Sequence, residues 1–358
     1  MDHPAADVDW TMGSAAAHLA DWGTAVDVGE RISGAGPRVS HPDRARMRDE
    51  LNALVTEAEG LVTDFTGLEV SGFRSRAWAM GRGDWIRQNL SGLQRVLEPL
   101  AERMLAKRPD RPAFARKTMG GEIGAVVGYV SRRVLGQFDV FLPPDDDGLI
   151  YFVGPNIVDV EQRFGLPPHD FRLWISIHEV THRVQFSAAP WLRGYLLDLV
   201  HEYLRSVSLE PGDLMEQLKR AVEQVKGGAD VRGPGGLLLL LTPEQREVFE
   251  RTQGMMSLLE GHASFVMNEV ARDHVADLPR LERALKERRA VKGVEKRVQR
   301  AIGFDQKVRQ YEAGERFVRQ VVRQAGQDTL NLVFSAPSAL PSTAEIAEPS
   351  RWLQRVSG

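Results

Sequence analysis

The stretch FRLWISIHEVTHRVQF, residues 171–186, decides how this sequence is read. It contains no glycine or proline, and Leu173, Ile177, Val180 and Val184 recur at the spacing of one helix face. Trp174, His178 and His182 form the neighbouring stripe, at the edge of that apolar face. Side chains four residues apart lie one above the other on a helix, so two imidazoles can reach a single ion with bonds of about 2.0–2.1 Å. Glu179 stands about 100° further round the helix. From there it is poorly placed to chelate the same ion but well placed to meet a water beside it, which is the position of a general base. Two packed core histidines are the competing reading.

A catalytic zinc site needs a third protein ligand. The longer motif that supplies it as a histidine six residues on is absent, because position 188 is Ala. Glu260, in MMSLLEGHASFVMNEV (255–270), is the candidate: it lies mid-helix among Met255, Leu258, Leu259, Val266 and Val270, where an uncompensated carboxylate is costly. Gly261 and Ala263 beside it leave room for a second helix. Pairing of Glu260 with an arginine is the alternative. His262 is a rival ligand or outer donor, but it points to the other side of the helix from Glu260.

Further candidates are weaker. His201 and Glu202 lack a second histidine at 205, which is Arg. Asp145, Asp146 and Asp147 lack the spacing of a calcium loop and read as a solvated turn. The arginine-rich segment 280–300 carries an apolar side and reads as a solvated face over a docked stripe. Tyr311, in KVRQYEAGERF (307–317), is a candidate donor to a developing oxyanion, with a packed core tyrosine as its alternative.

Around these segments the chain reads as mainly α with a small antiparallel sheet. An N-terminal helical region, 1–110, ends at the Pro-rich break 108–112, and 111–358 forms the second region, with C-terminal helices and a docked tail. A helix from Ala113 to about Leu135 carries Gly120, Gly124 and Gly128 on one face, the mark of close helix contact. QFDVFL (137–142) and LIYFV (149–153) read as two paired strands. Helices follow over 171–187, 191–206, 214–226, 243–253, 255–273, 279–302 and 305–325. Asp213 with Glu216, and Thr242 with Gln245, have the pattern of a capping box. GGADVRGPGG (227–236) reads as a loop, and 335–350 as an extended tail pinned by Trp352 and Leu353.

With 358 residues, 42% of them hydrophobic, the chain has apolar content enough for a core. A net charge of −3 argues against nucleic acid as the partner. The absence of cysteine excludes disulfides, thiolate zinc ligands and a Cys nucleophile. No apolar run approaches the roughly 18–20 residues that cross a bilayer. MDHPAADVDW lacks the build of a secretory signal, so a cytoplasmic location is expected. Oligomeric state is not legible.

HEVTHRVQF, LEGHASFVM, VLGQFDVFLP and KVRQYEAGERF, with VDW near the start and PSRWLQRV near the end, resemble the zincin-like hydrolases of high-GC bacteria associated with deazaflavin coenzyme biosynthesis. The resemblance spans nearly the whole chain. It implies a mostly helical zincin-like domain with a small sheet, His178, His182 and Glu260 as zinc ligands, and Glu179 as acid/base. Phe138 stands where that family is expected to carry Tyr. The reading that results is a zinc-dependent hydrolase of gluzincin type, acting on a peptide or amide bond. Its alternative is a catalytically idle, zinc-stabilised helical partner in coenzyme assembly.

Overall fold

The computed structural model describes residues 14–37, 40–72, 74–107, 112–140, 148–207, 241–289 and 304–357. These fall into two compact units. One contains the chain up to Ala188 together with Val266–Leu285, the other Ala189–Phe265 together with the chain from Lys286.

The first unit begins with a 3₁₀ turn, Ala15–His18, and helices α1 (Trp22–Ser33) and α2 (His41–Thr66). Local chemistry sets their limits. The Asp21 carboxylate accepts the Thr24 N–H at 2.9 Å, Ser40 caps α2, and Gly34 and Gly67 end the two helices in conformations with positive φ. Strand β1 (Arg76–Met80) leads into α3 (Arg82–Lys107) and α4 (Ala113–Ser131). The glycine stripe of α4 lies on the backbone of α1: a Cβ at Gly124 would stand 2.3 Å from the Ala25 carbonyl oxygen, and one at Gly128 would stand 2.4 Å from that of Gly29.

Strands β2 (Gly136–Phe138) and β3 (Leu149–Val153) pair antiparallel, as their sequences suggest, but β2 ends at Phe138, and 139–140 of the expected strand 137–142 are not strand. The sheet has a third member, however. β1 pairs with β3 in parallel, giving a mixed sheet of order β1-β3-β2. β3 is central and buried at every position, whereas β2 is an edge strand. Helices α5 (Gly154–Phe164) and α6 (Pro168–Ala188) follow, and α6 packs on α2. Leu173, Ile177, Val180 and Val184 of α6 are buried with Leu51, Leu54, Val55, Ala58 and Val62 of α2. Arg183, 1% exposed, donates to Glu59 of α2 at 2.8 Å. The pair ties the buried Arg183 of α6 to α2 and so helps fix how α6 is rotated.

The second unit contains α7 (Trp191–Ser206) and most of α8 (Pro243–His274), whose end belongs to the first unit, as does α9 (Leu278–Arg289) up to Leu285. Thr242 and Gln245 exchange both bonds of the expected capping box, at 3.0 and 3.2 Å. The sequence suggests two helices here, yet α8 runs unbroken through Gly254. That glycine serves close approach instead, since a Cβ there would stand 2.6 Å from the Pro341 carbonyl oxygen. Helix α10 (Phe304–Ala325) crosses α8 where Gly261 meets Gly314. The tail is not extended: α11 (Gln327–Asn331) is followed by α12 (Thr343–Ala347) and α13 (Pro349–Ser357), with 3₁₀ turns at Leu332–Phe334 and Pro337–Ala339. Trp352 is fully buried against Phe317, and its indole N–H donates to Ala339 at 2.8 Å. Among the described helices none is long and apolar enough to cross a membrane. The expected helix 214–226, its Asp213 cap, the loop 227–236 and the acidic turn 145–147 lie outside the described residues.

Candidate metal centre

The buried stripe of α6 leaves His178 and His182 half-buried at its margin, one turn apart, with ring centroids 4.9 Å from each other. His178, His182 and Glu260 of α8 each offer one ligand atom, and these atoms all lie within 4.8 Å of one another. Glu260 is half-buried rather than enclosed.

The orientation of His182 is set by a neighbour that the sequence reading passes over. Its Nδ1 lies 3.0 Å from Oε1 of Gln185, a fully buried side chain. A carbonyl oxygen only accepts, so Nδ1 carries the proton and Nε2 keeps the lone pair a metal needs. Gln185 stands three residues beyond His182, on the same helix face, and that spacing is the signal that could have found it.

Glu179 is not one of the three clustered donors. Its side chain is 8% exposed, and Oε2 accepts the Phe138 N–H of strand β2 at 3.1 Å. Gly136 of the same strand passes so close that a Cβ would stand 2.5 Å from Glu179 Cγ and 2.9 Å from Oε1. Neither contact is readable from the sequence, because both are made by backbone rather than by side-chain type.

Two imidazoles and a carboxylate are the donor set of a three-ligand zinc site. Separations within 4.8 Å suit one ion with bonds of about 2.0–2.2 Å after small side-chain rotations. These residues therefore fit a zinc ion.

The remaining candidates fall outside the cluster. His262 is fully enclosed and packs edge-on to Phe334 with ring centroids 5.5 Å apart. Glu202 pairs with Arg251 at 2.6 Å, tying α7 to α8. In the basic segment Arg280 donates to the Gly165 carbonyl at 2.6 Å, while 290–300 lie outside the described residues, as does the side chain of Tyr311.

Residues 20–353 match the model of the zincin-like metallopeptidase family, and the chain belongs to that family. It is also similar to a crystal structure from Chloroflexus aurantiacus, described as that of a proposed hydrolase with a novel fold. The TM-score is 0.71 and the identity 31%, over 95% of this chain and 99% of that one. No curated protein matches the sequence. Family and site together define a metallopeptidase-like protein with a His/His/Glu cluster able to bind a metal, typically zinc in this family.

Proposed function

We propose that the protein is a zinc-dependent hydrolase that cleaves a peptide or amide bond, with His178, His182 and Glu260 as the metal ligands and Glu179 as the general base. The observation that carries this reading is the convergence of three donor atoms within 4.8 Å, beside a carboxylate that belongs to the same helix but not to the cluster. A structural zinc site has no use for such a base.

A zinc ion held there supplies positive charge that polarises a carbonyl and acidifies a water. The protein's own residues do the rest. Gln185 holds His182 in the tautomer that presents Nε2. Glu179, with Oε2 engaged by Phe138, takes at Oε1 the proton of the water that adds to the carbonyl carbon. The same carboxyl then delivers that proton to the leaving nitrogen as the carbon–nitrogen bond breaks. The association with deazaflavin coenzyme assembly is carried by the sequence resemblance alone and adds no residue to the site.

Digestion of a mixed peptide library, read by mass spectrometry, tests this with wild type, Glu179→Gln and chelator-treated protein. Glu179→Gln keeps the shape but cannot take a proton, so turnover falls by about 10²–10⁴-fold while zinc content stays the same. Cleavage by the variant at the wild-type rate removes Glu179 from the mechanism.

A further inference from the structure

Resting on that reading, we propose that the segment Gly136-Gln137-Phe138 is a backbone clamp that aims the Glu179 carboxylate, with Gly136 as a positioning residue for the reaction. Each of its three residues has a part that the others cannot supply. Gly136 supplies absence: the space where its Cβ would stand is occupied by Glu179, with Cγ at 2.5 Å, and Cδ and Oε1 at 2.9 Å. Phe138 supplies a donor, its N–H to Oε2 at 3.1 Å. Gln137 supplies the anchor. On the opposite face of the strand its Oε1 accepts the Trp85 indole N–H at 2.7 Å, and its amide nitrogen donates to Asn89 at 3.2 Å. Both partners belong to α3, and Trp85 is 4% exposed.

The strand's position explains why backbone does this work. β2 is an edge, so alternate N–H groups face away from β3, and in a three-residue strand few such donors exist. The outward N–H of Phe138 meets the carboxylate. A charged side chain that is 8% exposed needs such a partner, and the bond fixes one oxygen. The wall at Gly136 limits rotation of the other. A carboxylate on a flexible side chain is thereby held in one direction before any substrate arrives, which is how a positioned base gains its effect. Within the motif LGQFD, the glycine, the glutamine and the phenylalanine N–H are each accounted for by these contacts.

A double-mutant cycle in metal-free protein reads the clamp without reference to activity. Gly136→Ala lowers the urea midpoint when position 179 is Glu, and most of that loss disappears in the Glu179→Ala background, where the atoms the new methyl meets are gone. Equal losses in both backgrounds overturn the proposal, as does a Gly136→Ala/Glu179→Ala double variant that fails to fold. On a library peptide that wild type cleaves, Gly136→Ala lowers kcat at least tenfold, with KM and zinc content unchanged. Coupling in the cycle with an unchanged kcat overturns the positioning role and leaves the hydrolase reading intact. Full activity of Glu179→Gln has the opposite meaning: the mechanism falls, and a coupled cycle shows the clamp to be packing alone.

Discussion

Gln185 Oε1 sits 3.0 Å from His182 Nδ1, one turn of helix beyond the ring it orients. An outer partner of this kind fixes the tautomer and raises the basicity of the nitrogen that meets the metal. Gln185→Met, which keeps the length but loses the acceptor, is expected to weaken zinc affinity by about 10–100-fold. Competition against a chromophoric chelator measures it. Unchanged affinity would show that His182 holds its orientation by packing.

The ligand set is tested by elemental analysis. Purified protein is expected to carry about one zinc per chain, and His178→Ala, His182→Ala or Glu260→Ala each to lose it, since a catalytic site has only three protein ligands. His262→Ala should keep its zinc. Its ring is fully enclosed against Phe334, so the variant pays in stability instead, by about 1–3 kcal/mol. Zinc lost from His262→Ala and retained by Glu260→Ala would reassign the third ligand.

Where side-chain type and local spacing carried the information, the sequence was readable. The apolar stripe of α6, the one-turn spacing of His178 and His182, and the Thr242 cap are all local patterns; Glu260, singled out from the cost of burying a carboxylate among Met255, Leu258 and Leu259, lies within reach of the two histidines but is half-buried rather than enclosed. What escaped was non-local or made by backbone. Strand β1 is five residues beginning at Arg76, and only its parallel register with β3 makes it a strand. Gly254 looked like a helix end because a glycine that ends a helix and one that admits a neighbouring carbonyl are the same letter. The short tail elements escaped because the prolines that open two of them, Pro337 and Pro349, read as extended chain. The clamp on Glu179 was invisible because an N–H donor at Phe138 would exist for any residue but proline.

The tail offers a pH test. Burial works against the charge of Glu345, but the hydrogen bonds from Arg355 and from the Ser342 backbone and hydroxyl outweigh it and hold its carboxyl below the ordinary value of 4.5. A carboxyl lowered in the folded state stabilises above its unfolded value, and that contribution is lost as pH falls through the folded one. Protection of amides 342–357 from hydrogen exchange should therefore be constant from neutral pH to about 5 and should decline below 4.5, ahead of α6. Glu345→Gln should show the reduced protection already at pH 7. A tail whose protection tracks α6 at every pH would assign its docking to Trp352 rather than to this cap.

The crossing of α8 and α10 joins the two motifs LEGHASFVM and RQYEAGERF. A Cβ at Gly314 would stand 1.7 Å from the Ser257 carbonyl oxygen, and one at Gly261 would stand 2.1 Å from the Gly314 carbonyl carbon. Both obstacles are backbone, so no side-chain rotation relieves them and the helices must separate. Overpacking of this kind costs about 1–3 kcal/mol and more where backbone must shift, so Gly314→Ala should destabilise by at least about 3 kcal/mol in urea unfolding. Helix propensity alone predicts the opposite sign, because alanine is favoured over glycine inside a helix by about 1 kcal/mol. Gly194 in α7 has nothing within 4 Å of its would-be Cβ, so Gly194→Ala isolates that term and should stabilise. Glu260 precedes Gly261 directly, so a shift of α8 also moves the ligand atom proposed for Glu260, and on that proposal Gly314→Ala should lose zinc affinity while Gly194→Ala keeps it. If the two variants change stability alike, the glycines serve the helix and not the crossing. If Gly314→Ala is destabilised but binds zinc as tightly as wild type, the crossing holds the fold without holding the ligand.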